Sequence, residues 1–466
     1  MGQNANELNL LKEKKSKIKT KINDLKGKKD LSDKQLAKVQ KWKSKLKKYK
    51  ESIKQLKTEG TKKSENSNTE ETVEQPKLDR WGLPTTTFDG HPLQSLEPLS
   101  EKALKKLTNV SLLLFYAYVE PSWNSKQYNE ALEWAKENGE KYEMKGRLRI
   151  ATEGFNGTIT GPSNKMREFC IAMRLWKPEI FGQTDFKITD DLPEGQAFPE
   201  FKIIPVKEIV NYGLGTKQPS LKNGGIHLNA EDYHKKMEEP NTVIIDVRNT
   251  YEAVIGRFDP PPGGAQYIDP KMRVSTEFPQ WVDKMKPELQ GKQIMMFCTG
   301  GIRCERASAL LREKGLDNIY QMQGGIHRYL EKYKDDGGHW VGKNYTFDKR
   351  FAHGAENAEV ISRCLSCDKP WEKYRGNKRC PACRVPLLIC ESCQEEQKDS
   401  VTVCHLCKEE NRKPEPSNRE KRRQEQANNP QNVCAVCSES FKSRNAMFKH
   451  VEEYGHRERK HRKINK

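Results

Sequence analysis

The chain has 466 residues, 34% of them hydrophobic and 32% charged, with a formal net charge of +19. That length suggests about three domains, and so polar a composition means that part of the chain is solvated tail or linker rather than core. No apolar run approaches the roughly 18 residues of a membrane span, and the excess of Lys and Arg favours an acidic partner, most often nucleic acid, over a membrane role.

The first residues, MGQNANELNLLKEKK, lack the apolar core of a secretory signal, and Asn6 stands where myristoylation asks for Ser or Thr. An intracellular protein, cytoplasmic or nuclear, is expected. Its thirteen cysteines are then thiols or metal ligands rather than disulfides. Residues 1–62 read as a basic helical hairpin or coiled coil. Val39, Trp42, Leu46, Tyr49, Ile53 and Leu56 recur at steps of three and four, and Leu11, Ile18, Ile22 and Leu25 begin a similar seam. Gly27 can stop the first helix, and Ser32 with Gln35 makes a capping box for the second. A solvated helix without a partner and a coiled-coil contact through residues 8–58 remain equal readings. Residues 63–107 are taken as linker, because the stretch opens polar and without periodicity.

Residues 108–210 read as an α+β domain of the ferredoxin-like type. SLLLFYAYV (111–119) is a buried strand, and SKQYNEALEWAKENG (125–139) is an amphipathic helix ending at Gly139. GRLRIATEGFNGTITG (146–161) makes two strands, PSNKMREFCIAMRLW (162–176) a second helix, and DFKITD and FKIIPVKEIV further strand. Cys170, on the apolar side of that second helix, reads as a small core residue. Residues 225–340 alternate apolar strands and helices: VIIDVR (243–248), QIMMFC (293–298), a helix after Arg303, NIYQMQ (318–323), then GG and IHRYLEKY. That alternation means a parallel sheet covered on both faces, the multidomain α/β class.

Cys298 falls at the carboxyl end of a strand and before a helix, the edge where open α/β sheets bind ligands. Between it and Arg303 lie Thr299, Gly300, Gly301 and Ile302. The glycines let the backbone curl so that amides point inward, the following helix adds its positive end, and Arg303 adds a fixed charge. All three favour a thiolate, so Cys298 is the candidate nucleophile and Arg303 its catalytic companion. The same ring of amides can hold one more negative atom on the sulfur, such as the outer sulfur of a persulfide. Cys304 is either a resolving thiol for oxidised Cys298 or a helix-start residue facing the sheet. Asp246 and Arg248 end a neighbouring strand, where Arg248 either steadies an anionic substrate or forms an internal ion pair.

Residues 363–408 hold four C-x-x-C pairs, Cys364 with Cys367, Cys380 with Cys383, Cys390 with Cys393 and Cys404 with Cys407. Two tetrahedral zinc sites of four thiolates each follow from the count, and the segment is too poor in apolar residues to fold without metal. Iron–sulfur ligation is the alternative, and the spacing leaves the combination of pairs open. After a charged linker (409–430), Cys434, Cys437, His450 and His456 (431–458) have zinc-finger spacing, with Phe441 and Met447 as its apolar core. About three structural zinc ions are therefore expected, and no motif for an organic cofactor is present. The KRR at 421–423 and the basic tail (459–466) fit phosphate contact or a nuclear address.

The cysteine loop, DVRNTYEAVIGRF (246–258) and YQMQGGIHRYL (320–330) resemble the rhodanese superfamily. RIATEGFNGTITG (149–161), FCTGGIRCERASALL and YTFDKRFAHG (345–354), in that order, resemble more closely the rhodanese-like tRNA uridine hydroxylases, bacterial enzymes with eukaryotic relatives. The resemblance spans about residues 108–407 and leaves the basic hairpin and the finger outside. It implies tRNA or another structured RNA as partner, 5-hydroxylation of the wobble uridine as activity, and Cys298 as the active-site cysteine. A small-molecule sulfurtransferase using thiosulfate and an RNA-binding scaffold are the other readings that these residues allow.

Overall fold

The computed structural model describes residues 77–456, except 349, 375–377, 397–401, 415, 417–420, 423–431 and 435. The hairpin expected over 1–62, its coiled-coil seam and the basic tail lie outside the described residues.

The first domain is built on alternation. In β1 (Val110–Tyr118), β2 (Lys145–Ala151) and β3 (Gly154–Pro162) every second residue is buried, and apart from Ser111 and the glycines these carry apolar side chains. Leu113, Phe115, Ala117, Leu148, Ile150, Phe155 and Ile159 pack on one face against Ala131 and Ala135 of α1 (Ser125–Lys141) and Phe169, Cys170 and Met173 of α2 (Ser163–Trp176). With β4 (Lys187–Thr189) the strands run antiparallel in the order β4-β1-β3-β2, the ferredoxin-like arrangement, and β5 (Phe201–Pro205) adds a parallel edge beside β2. The Asn124–Gln127 capping box starts α1, which does not stop at Gly139 but continues to Lys141. A Cβ at Gly139 would lie 2.3 Å from the Phe201 ring, so that glycine makes room for packing rather than ending a helix.

Residues 77–107, expected as linker, are instead built onto this domain. Leu83 and Leu96 are buried. The Gln94 amide donates to Ile188 O at 2.9 Å and accepts from Ile188 N at 2.8 Å, closing the free edge of β4.

The second domain is a five-stranded sheet in the order β6-β11-β10-β7-β9, every pair parallel. Its elements are β6 (Ile226–Leu228), α3 (Ala230–Lys236), β7 (Thr242–Asp246), β9 (Gln266–Ile268), α4 (Phe278–Leu289), β10 (Gln293–Phe297), α5 (Ile302–Glu313), β11 (Ile319–Met322) and α6 (Gly325–Lys332). The central strand β10 feeds two cores. Ile294, Met296 and Cys298 face Val282, Leu289 and Leu311, while Met295 and Phe297 face Tyr233, Ile326, Tyr329 and Trp340. This two-sided burial explains its unbroken apolar run. Between β7 and β9 runs β8 (Gly256–Phe258), which pairs with β12 (Trp340–Gly342) outside the main sheet. A short hairpin of β13 (Asn344–Tyr345) and β14 (Ala352–His353) leads into the cysteine-rich segment, and the last described helix is α7 (Arg444–Glu453).

Candidate active site and metal centres

Cys298 follows the last residue of β10 and is fully buried. The chain turns back over it through Thr299 and Gly300 and enters α5 at Gly301, whose φ of +99° favours glycine. The Gly301 amide donates to the Cys298 Sγ at 3.1 Å. Burial pushes the Cys298 thiol up, but the Cys304 hydrogen bond, the Arg303 charge and the Arg303 and Gly300 amides overcome it and bring the pKa down to about 5. Cys304, buried and pushed well up by desolvation and by its bond to Cys298, is the neutral donor of that pair. Cys304 thus lies in the core under α5 and touches the nucleophile at once.

Arg303 acts from the side. Its guanidinium donates to both oxygens of Glu252, at 2.6 and 2.8 Å, and to Thr299 Oγ1 at 3.1 Å. Glu252 is fully buried in the short helix Thr250–Ala253 and caps its own helix through Asn249 N at 3.1 Å. This carboxylate holds the arginine at a fixed place while leaving its charge near the sulfur. Nothing in the sequence marked Glu252; the only signal was the x-x-Glu of a capping box after Asn249.

Asp246 and Arg248 do not face the loop. Arg248 Nε and Nη2 donate to Asp246 Oδ1 and Oδ2 at 2.8 and 2.6 Å, Nη2 also reaches Gly256 O at 2.8 Å, and both side chains are fully buried. Tyr267 donates to the same aspartate at 2.9 Å. They form an internal ion pair, and Arg248 has no access to a substrate.

The back of the loop rests on α6. Ile326 N and His327 N donate to Cys298 O and Thr299 O at 3.0 and 3.1 Å. A Cβ on Gly325 would come within 2.5 Å of Cys298 O and 2.8 Å of Gly300 N, and its φ is +67°. The double glycine before that helix is therefore a requirement of close backbone approach.

The front is roofed by the first domain. From β1, Tyr116 donates to Glu305 Oε1 at 2.8 Å and Tyr118 to Ile302 O at 3.3 Å, and a Cβ on Gly301 would lie 2.9 Å from the Tyr116 oxygen. Glu305 in turn meets His227 Nε2 at 3.0 Å, and His227 Nδ1 meets Asp89 at 2.8 Å. Burial would lower the His227 pKa, but Glu305 and Asp89 overcome it and raise it to about 10, so the imidazolium bridges the two carboxylates. A second clamp joins Arg306 to Glu153 at 2.9 Å, and a third joins Arg328 to Asp185 at 2.6 Å. The roles of the β1 tyrosines and of these ion pairs were invisible in the sequence, where SLLLFYAYV read only as a buried strand.

The four C-x-x-C pairs gather into two groups, Cys364, Cys367, Cys390 and Cys393, and Cys380, Cys383, Cys404 and Cys407. The pairs interleave: each site takes one pair from either side of the other's. Sulfur atoms stand 3.7 Å apart for Cys367 and Cys390 and 3.5 Å for Cys383 and Cys404. Four ligands about 2.3 Å from a tetrahedral ion lie about 3.8 Å from each other, so both groups fit a metal ion such as zinc. A third group joins Cys434, Cys437, His450 and His456, with the Cys437 Sγ 3.2 Å from His450 Nε2 and the Cys434 Sγ 3.4 Å from His456 Nδ1. The Phe441 ring packs tilted against His450, 4.6 Å between ring centres.

Three family models match in chain order: the UPF0176 acylphosphatase like domain over residues 110–209, the Rhodanese-like domain over 229–332 and the Rhodanase C-terminal over 341–410. A tRNA uridine(34) hydroxylase of Corynebacterium kroppenstedtii is 33% identical over 57% of this chain and 88% of its own length. One from Brucella ovis is 36% identical over 49% of this chain and 71% of its own length. Rhodanese-like domain-containing protein 6 of Arabidopsis thaliana is 31% identical over 72% of this chain, which spans 60% of that protein's length.

Proposed function

The chain belongs to the rhodanese-like tRNA uridine(34) hydroxylase family, and from that premise we propose that it is a tRNA-modifying enzyme whose reacting group is the Cys298 thiolate. The observation that carries the reading is the loop: one sulfur, held as a thiolate at a pKa of about 5, inside a ring of amides closed by the Arg303–Glu252 pair. The reaction in the relatives' name is hydroxylation of uridine 34, and this chain's substrate is taken to be the same base. Cys298 is the nucleophile, the amides of Gly300, Gly301 and Arg303 hold charge on its sulfur, and Arg303 balances that charge. The two four-cysteine groups and the finger are read as three structural zinc sites, which hold their segments folded. The chain's +19 charge suits a polyanionic partner, and no helix among the described residues is long and apolar enough to cross a membrane. Cytoplasm or nucleus is the expected compartment.

Complete burial of Cys298 under Tyr116 and Tyr118 favours a second reading, a small-molecule sulfurtransferase. There the thiolate attacks the outer sulfur of thiosulfate, that S–S bond breaks, sulfite leaves with the electron pair, and a Cys298 persulfide remains. Nucleoside mass spectrometry of tRNA treated with the protein, alongside thiosulfate turnover, separates the two. A gain of 5-hydroxyuridine supports the first; sulfite release with unchanged tRNA replaces it with the second.

A further inference from the structure

The outer face of the first domain's sheet is only half covered. Residues opposite one another in a sheet share a face. The registers therefore put Arg149, Asn156 and Tyr116 in one row and Lys202, Arg147, Thr158 and Leu114 in the next. Tyr116 and Tyr118 are the part of this face that docks on the cysteine loop. Two strands away, Lys145, Arg147 and Arg149 of β2 are all exposed. With strands about 4.8 Å apart, the Arg149 backbone stands about 10 Å from that of Tyr116. None of the three basic residues is paired with a carboxylate among the described residues, whereas Lys202 is tied to Glu200 at 2.6 Å.

A second surface, aromatic, lies beside the active loop. Tyr345 and Phe347 lie edge to face at 5.0 Å, Tyr345 also packs on Tyr251 and Tyr374, and Phe347 is 47% exposed. Tyr251 immediately precedes Glu252, the carboxylate that holds Arg303. The Tyr374 hydroxyl donates to Tyr251 O at 2.7 Å, which holds the cluster at the edge of the active loop.

Resting on the reading of the chain as an RNA-modifying enzyme, we propose that β2 and the Tyr345–Phe347 pair form a track for single-stranded RNA. The backbone phosphates lie along Lys145, Arg147 and Arg149, and a base flanking the target stacks on Phe347. Charge and chemistry both point to this occupant. Alternate residues of a strand stand about 6.7 Å apart, which suits successive phosphates of an extended strand, and an exposed ring beside fixed cations is the usual platform for an unpaired base. Both lead toward Cys298.

The test is binding of the full chain to a tRNA anticodon stem–loop, followed by fluorescence anisotropy across a salt series. The triple variant Lys145→Ala, Arg147→Ala, Arg149→Ala should lower the slope of log affinity against log salt by about 2, three phosphates at about 0.7 each. The double variant Arg147→Lys, Arg149→Lys, which keeps all three charges with Lys145 intact, should keep the wild-type slope. Phe347→Ala should weaken binding about ten- to a hundredfold with the slope unchanged. Near-UV circular dichroism matching the wild type keeps a folding defect out of the comparison. If the wild type binds and the alanine variant keeps the full slope, the track is wrong and RNA is held elsewhere. If the wild type binds no RNA even at low salt, the track fails together with the RNA reading.

Discussion

Replacing Cys304 by Ala removes the thiol that donates to the Cys298 thiolate and leaves the amide ring intact. A hydrogen bond to a charged group contributes about 1.5–3 kcal/mol, and one pKa unit corresponds to about 1.36 kcal/mol, so the Cys298 pKa should rise by about one to two units. From about 5 it moves to about 6–7, still below the ordinary thiol value of 9.0 because Arg303 and the amides remain. The assay is the pH profile of Cys298 alkylation by iodoacetamide, read by mass spectrometry of its peptide. Cys304→Ser restores a donor and should bring the profile back toward the wild type, which loss of packing alone would not do. Stability follows the same logic. Cys298 has a folded pKa depressed below its unfolded value, so its contribution is full above the unfolded pKa and is lost as pH falls through about 5. In Cys304→Ala the contribution is smaller and its loss is complete at a higher pH. An alkylation midpoint in Cys304→Ala equal to that of the wild type would refute the assignment of Cys304 as the donor.

Gly325→Ala should abolish activity, because its Cβ meets three backbone atoms of the cysteine loop and its φ is positive; the readout is the same alkylation profile with a thermal melt. Glu252→Gln should destabilise the second domain by about 3–5 kcal/mol, because it leaves the Arg303 guanidinium buried without its counter-charge, and denaturant unfolding checks this. The Cys298 pKa in that variant should not rise, since the removed charge is negative. Elemental analysis of metal-replete protein should give three zinc ions per chain, and Cys380→Ser should release one of them; iron with acid-labile sulfide would overturn the zinc assignment.

Local chemistry was legible in the sequence and spatial pairing was not. The strand–loop–helix around Cys298 could be read because glycines, arginine and the flanking apolar run lie within a dozen residues. The ferredoxin-like type could be read from the order of strands and helices over residues 108–210. Glu252 escaped because its partner is 51 positions away and its own neighbourhood reads as an ordinary helix start. Asp246 and Arg248 sat beside the loop in sequence logic, yet their side chains turn into the core, a choice that a one-residue change of strand face decides. The cysteine pairs share one spacing, so nothing local distinguished interleaved from consecutive sites. Residues 77–107 look like linker because their stabilising contacts are single ones, Gln94 to β4 and Leu83 and Leu96 into the core, without a period to announce them.

The most direct test of the central claim is nucleoside mass spectrometry of tRNA from cells that lack this protein and are supplied with either the wild type or Cys298→Ser. The account predicts 5-hydroxyuridine-derived nucleosides at position 34 with the wild type and none with Cys298→Ser at equal protein level. Equal modification in both, or none with either, would contradict it.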